Sequence, residues 1–243
     1  MPPILRYIHD HNRNMAKKYD FNIQLVSDSN IETFIDVPKR YWELLPNFKS
    51  DIARYMLLNK YGGIYLDTDV IIIRDLNKLY NNLVVSDKQC ILDIEYGNKA
   101  GCCTMSMLPH SAVSEFCEYT CLETLKAYEG KHMIWHELGP DTIDSACRKL
   151  SNVMLINDES KVRKGCNFLF YKDNPGYNHE KWYFSSKEKA IEFSDRLLNN
   201  EECYYIITWH AYRHNNFQGD GVDFFLKDER SVYSHLIYKS LKR

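Results

Sequence analysis

Residues 50–76 read SDIARYMLLNKYGGIYLDTDVIIIRDL. The order of residue types predicts a helix, a turn, a strand, an acidic triplet and a second strand. Residues 51–61 have helical spacing, with Ser50 as a cap at the start and Gly62 as a stop. Asp51 falls in the first turn, where the helix dipole favours a carboxylate. Arg54 follows three residues later, which puts both side chains on one face. Gly62-Gly63 supplies the turn out of the helix. Ile64-Tyr65-Leu66 and residues 70–73 are rich in β-forming side chains. Between those two runs stand Asp67, Thr68 and Asp69.

The triplet carries the chemistry. Carboxylates two apart on an extended chain point to the same side, and two like charges that close repel unless a cation lies between them. A hard divalent ion suits such a pair, because it takes oxygen ligands and leaves positions open for phosphate. There it neutralises a diphosphate and stabilises it as a leaving group. A bare DxD triplet also fits a solvated loop. The strand before it, the β-rich run after it, the glycine pair and the Asp51/Arg54 helix favour the metal.

Outward from this segment, residues 4–19 have helical spacing. Residues 22–26 alternate as a strand does, and residues 31–45 hold two short helical pieces divided at Pro38. Residues 83–85, 91–94, 103–108, 153–156 and 204–208 are strand candidates. Residues 111–128, 141–150, 187–198 and 231–241 are predicted helices. Strands alternating with helices imply an α/β sandwich with a mostly parallel central sheet. Ligands in such sheets sit at the carboxyl ends of strands.

Composition narrows the function classes. A chain of 243 residues is long enough to bury roughly 70% of its unfolded surface, so it needs no disulfide or metal to fold. The net charge is −2 and no basic block occurs, which disfavours nucleic acid as a partner. Eighteen tyrosines offer rings and hydroxyls suited to sugars. The eight cysteines contain no CxxC pair, which disfavours a zinc ribbon or a thioredoxin-type motif. The chain opens on Met1-Pro2-Pro3 and then polar helical sequence, with no signal peptide. Its longest aliphatic run, residues 70–73, is far too short to span a bilayer. Free thiols in a reducing, cytoplasmic compartment are expected.

Ser50, Asp51, Arg54, Leu58, Gly62, Gly63, Tyr65, Asp67 and Asp69 closely resemble the pattern SDxxRxxxLxxxGGxYxDxD. That pattern belongs to a sugar-transferase family containing the yeast initiating α-mannosyltransferases, bacterial capsular sugar transferases and, more distantly, the large glucosylating bacterial toxins. The resemblance implies a GT-A fold, a Rossmann-type α/β/α sandwich, with residues 1–243 as one catalytic domain. It implies a metal-dependent and generally retaining glycosyltransferase. Such an enzyme moves a hexose from a nucleotide-diphospho-sugar to a glycan or protein acceptor. A UDP-sugar is favoured and GDP-mannose is the other candidate. The implied cofactor is Mn²⁺ or Mg²⁺.

The same resemblance implies roles for single residues. Asp69 is a direct metal ligand. Asp67 contacts the metal, often through water, and the ribose or donor sugar. Asp51 and Arg54 hold the sugar hydroxyls, Arg54 also approaches the phosphate, and Tyr65 packs beside the donor. The likeness continues more weakly. Leu108-Pro109-His110 resembles a turn after a donor-pocket strand, and Gly139-Pro140 resembles an element that opens a helix beside the donor. Residues 209–212, with Asn215 and Asn216, resemble a closing loop. In that loop His210 becomes a third contact to metal or diphosphate, and Tyr212 a donor contact. Relatives begin with a strand that helps form the base pocket, and this chain starts after that point. A weak or inactive descendant that binds a partner or glycan is therefore the alternative to an active enzyme.

Other constellations weigh less. His132 and His136 are four apart, which suits a metal only on a helix with a third ligand. A structural or surface role is expected for them. Cys117 and Cys121 share a helix face with Phe116 and Leu125, which predicts buried packing. The triplet also resembles the nucleophile motif DxDx(T/V) of haloacid-dehalogenase-type phosphatases, but Ile71 stands where that motif has Thr or Val.

Overall fold

A computed structural model describes residues 3–94, 100–128, 133–134, 136–150, 153–155, 186–199, 201, 203–207 and 227–243. The helices are α1 (Pro3–Tyr19), α2 (Pro46–Tyr61), α3 (Leu76–Val84), α4 (Ala112–Ala127), α5 (Pro140–Lys149), α6 (Lys187–Asn199) and α7 (Val232–Lys242). The strands are β1 (Gly63–Leu66), β2 (Val70–Ile72), β3 (Cys90–Ile94), β4 (Ala100–Met107), β5 (Val153–Leu155) and β6 (Tyr205–Ile207). The class is mixed α/β. The chain condenses into two units whose segments alternate along the sequence. One holds Met1–Ile23, Asp67–Leu79 and Glu159–Arg243, and the other holds Gln24–Leu66 and Tyr80–Asp158.

The unit formed by Gln24–Leu66 and Tyr80–Asp158 contains a four-stranded sheet in the order β1-β4-β3-β5. β4 runs antiparallel to both β1 and β3, and β5 runs parallel to β3. A mostly parallel sheet was the expectation, and β3–β5 is the parallel ladder among the described residues. Residues 95–99 between β3 and β4 are too few for a parallel crossover, which needs about a dozen residues. α2 packs on α4, α4 on α5, and α5 on β4. Ile52, Tyr55 and Leu58 of α2 meet Cys117, Cys121 and Leu125 of α4 in the core. Burial pushes the Cys117 thiol well above its usual range, so it packs as a small apolar side chain rather than reacting. Cys117, Cys121 and Cys147 carry free thiols.

Local departures from the expected elements have physical causes. α2 starts at Pro46 rather than at residue 51, with Pro at its first position, where the missing N–H costs nothing. Ser50 therefore lies inside the helix, and its hydroxyl donates back to the Asn47 carbonyl at 2.7 Å. Residues 83–85 are not a strand, because residues 76–84 form α3. Leu76, Leu79 and Leu83 are all buried there, a helical spacing that outweighs local β-propensity. Residues 22–26 alternate but form no ladder in the structure. Pro38 does divide the segment before α2 into two 3₁₀ turns, Ile31–Thr33 and Lys39–Glu43.

The other unit contains the antiparallel pair β2–β6. Val70, Ile71, Ile72 and Ile73 are buried. Ile73 and Arg74 extend the pairing by donating to the Tyr204 carbonyl at 2.9 and 3.2 Å. α1 packs on β2 and α7, and α7 packs on α6. Ionic groups pin these helices: Lys18 donates to the Ser240 carbonyl at 2.8 Å, and Lys239 pairs with Asp195 at 2.7 Å. Among the described residues, no helix is long and apolar enough to cross a membrane.

Candidate functional site

In the sheet-bearing unit, Asp51 and Arg54 form a buried ion pair on α2. Arg54 Nη2 lies 3.0 Å from Asp51 Oδ1, and the residues are 5% and 3% exposed. Arg54 is engaged on its other edges too. Nε donates to the Ser50 carbonyl at 3.2 Å, Nη2 to Ser50 Oγ at 3.1 Å, and Nη1 to the Cys102 carbonyl of β4. The Tyr65 ring lies under the guanidinium, with its centroid at 4.7 Å. A buried pair of this kind persists only when each charge is compensated, and here the compensation is dense. The three-residue spacing brings the pair together, as the sequence predicts.

Gly139-Pro140 belongs to the same constellation. Gly139 caps α5, and Pro140 is its first residue. A Cβ at Gly139 would stand 2.8 Å from Asp51 Cγ and 2.9 Å from Oδ2, so only glycine lets the carboxylate lie there. That carboxylate sits against the start of α5, where the helix dipole favours negative charge. Tyr55 fixes the turn from below, its hydroxyl donating to the Gly139 carbonyl at 2.6 Å. Burial pushes that hydroxyl well above the usual phenol range, so it remains a donor. Sequence reasoning missed Tyr55, because its partner lies 84 residues away and no local pattern announces it.

The glycine pair does what its position demands. Gly62 and Gly63 have φ of +63° and +95°, which disfavours L side chains. A Cβ at Gly62 would also stand 2.9 Å from Tyr80 Oη and from Pro109 N. The turn therefore aims β1 along β4, with Gly63 opposite Met107 and Leu66 opposite Thr104.

Asp67, Thr68 and Asp69 open the next segment of the other unit. They are not extended, as the same-side reading of the two carboxylates supposed. A turn closes over them, with Val70 N–H donating to the Asp67 carbonyl at 3.1 Å. The two carboxylates differ in surroundings: Asp67 is half-buried and Asp69 is 6% exposed. Both offer hard oxygen donors at the end of a strand, which fits Mn²⁺ or Mg²⁺. Among the described residues no cluster of three or more His, Cys, Asp or Glu side chains is arranged to hold a metal. Two protein carboxylates still suit an ion that keeps water and takes phosphate oxygens as its remaining ligands.

The histidine readings divide. His136 lies in a turn rather than on a helix, and its Nδ1 is 2.6 Å from Asp141 Oδ2. His132, His210 and Tyr212 lie outside the described residues, as does the rest of segment 209–216.

Residues 7–86 match the model of the glycosyltransferase sugar-binding region containing the DXD motif. That region runs from α1 through the Asp51/Arg54 helix and the acidic turn to the end of α3. The chain is also similar to lactosylceramide 4-alpha-galactosyltransferases. It is 26% identical over 201 residues to that of Rattus norvegicus, covering 77% of this chain and 50% of the relative. It is 27% identical over 202 residues to that of Pongo pygmaeus, covering 77% and 83%. It is 27% identical over 158 residues to that of Homo sapiens, covering 61% and 40%. The chain spans about half the length of the rat relative. These matches support a DXD-containing glycosyltransferase region at residues 7–86 and distant homology to glycosyltransferases.

Proposed function

We propose that the chain is a metal-dependent glycosyltransferase that moves a hexose from a nucleotide-diphospho-sugar to a glycan or protein acceptor. The acidic turn at Asp67–Asp69, inside the segment that matches the DXD region, carries this reading. A UDP-sugar is the favoured donor and GDP-mannose the other candidate. UDP-galactose is the first to test, because the similar curated proteins are named galactosyltransferases. Residues 1–243 are read as one catalytic domain of GT-A type, with the segments of its two units alternating along the sequence. The free thiols of Cys117, Cys121 and Cys147 are consistent with a reducing, cytoplasmic compartment.

Asp69 would hold Mn²⁺ or Mg²⁺ directly, and Asp67 would meet it through water and contact the ribose or donor sugar. His210 would add a third contact, and Tyr212 would face the donor. The bound ion would supply charge that stabilises the departing diphosphate. Asp51 would accept hydrogen bonds from sugar hydroxyls at the start of α5. Its charge is kept in place by Arg54, and Gly139-Pro140 leaves room for it. Tyr65 would flank the donor, as it flanks Arg54. The transfer retains anomeric configuration in this reading, so no separate base beside the anomeric carbon is required.

The test is donor hydrolysis with Mn²⁺, using UDP-galactose, UDP-glucose, UDP-N-acetylglucosamine and GDP-mannose. Release of free sugar from one donor, abolished by EDTA and by Asp69→Ala, is the expected outcome. Turnover untouched by Asp69→Ala would overturn the reading. Phosphate release from an aryl phosphate would favour a phosphatase instead.

A further inference from the structure

β2 begins one residue after Asp69 and has two edges. One pairs with β6. The other is met by side chains of α1, about sixty residues earlier in the chain. Asn12 Nδ2 donates to the Val70 carbonyl at 2.8 Å, and Asn12 Oδ1 accepts from Ile72 N–H at 2.9 Å. One carboxamide thus supplies the donor and acceptor that a neighbouring strand would supply. The next carbonyl, Ile72, bonds His11 Nε2 at 2.7 Å. A carbonyl only accepts, so Nε2 carries the proton, and the buried Nδ1 has no hydrogen-bond partner among the described residues. Both side chains are buried.

The bonds converge on one residue. Val70 N–H closes the acidic turn onto the Asp67 carbonyl at 3.1 Å, and the Val70 carbonyl is held by Asn12. Both polar groups of the residue following Asp69 are therefore fixed, and with them the backbone from which the Asp69 carboxylate projects. A buried strand edge needs partners for its N–H and C=O groups, and Asn12 meets them in one fixed register.

We propose that Asn12, assisted by His11, is a positioning residue for the acidic turn: it sets the geometry with which Asp67 and Asp69 receive a divalent cation. The inference rests on the metal-binding reading of that turn. Burial also lowers the basicity of His11, which keeps it neutral and keeps its Nε2 proton on Ile72.

Asn12→Asp separates positioning from bulk stability. The ionised carboxylate still accepts from Ile72 N–H but cannot donate to Val70, whereas the protonated acid donates again. Mn²⁺ affinity is measured by titration calorimetry in the presence of UDP. Wild type, Asn12→Asp, Asn12→Ala and His11→Gln are compared at temperatures where each is folded by circular dichroism. The expected loss at pH 7.5 is about tenfold for Asn12→Asp and Asn12→Ala, the scale of one lost hydrogen bond. His11→Gln should lose less. The deficit of Asn12→Asp relative to wild type should shrink as pH falls towards 5.5, because burial raises a carboxyl pKa. That of Asn12→Ala should not shrink. Wild-type Mn²⁺ affinity in folded Asn12→Asp and His11→Gln would overturn the positioning role and leave the metal reading intact. Failure of wild type itself to bind Mn²⁺ with UDP would overturn both.

Discussion

The two acidic groups of the matched region are built in different ways. Asp51 is closed in: buried, paired with Arg54, backed by Gly139 and locked through Tyr55. Asp67 and Asp69 are held from behind, by Asn12 and the turn hydrogen bond, while Asp67 and Thr68 reach solvent. A carboxylate that already has a guanidinium needs no cation. Two carboxylates in one acidic turn repel each other and favour a cation between them. A divalent ion is therefore proposed at the acidic turn and not at Asp51, although both lie within the same matched region.

The largest expected effect comes from the acidic turn. Asp69→Ala should lower donor turnover by about a hundredfold or more, since charge stabilisation of a leaving group by a metal amounts to several kcal/mol. Thermal stability should change little. A variant that unfolds instead would mean that Asp69 belongs to the closed type of carboxylate.

Arg54→Ala should lower stability as well as donor binding. Removing one partner of a buried pair costs about 3–5 kcal/mol, and the loss should appear as a lowered urea midpoint. Arg54→Lys should recover part of it, because an ammonium supplies charge without the planar fork that reaches Ser50, Cys102 and Asp51 together. Gly139→Ala sharpens the same point. Its methyl group displaces the Asp51 carboxylate, so donor KM should rise more than stability falls.

Tyr55→Phe should cost about 1 kcal/mol, one buried hydrogen bond, without abolishing turnover. The smallest effect is a pH slope. Folding lowers the pKa of His11 below 6.5. The unfolded chain then binds more protons, so stability falls as pH drops below about 6.5. His11→Gln should flatten that part of the curve, measured by urea melts from pH 7.5 to 5.5, by at most about 1.4 kcal/mol per pH unit.

What the sequence disclosed follows the range of the interactions. The helix–glycine–strand–triplet order was legible because every cue is local: Asp51 and Arg54 share a face, and Gly62 stops the helix. The buried packing of Cys117 and Cys121 was legible for the same reason. Residues 83–85 read as a strand because Val84 and Val85 are β-branched, whereas Leu83 completes the helical spacing set by Leu76 and Leu79. The antiparallel ladders depend on which strands meet, and no single-strand pattern encodes that. The supports of both acidic groups were invisible: Asn12 reaches 58 residues to Val70, and Tyr55 reaches 84 to Gly139.

The most direct test of the central claim is UDP binding by calorimetry, with and without Mn²⁺, to wild type and Asp69→Asn. The account predicts binding that requires Mn²⁺ and is lost in Asp69→Asn while the melting temperature is kept. UDP binding that is indifferent to both EDTA and the substitution would contradict it.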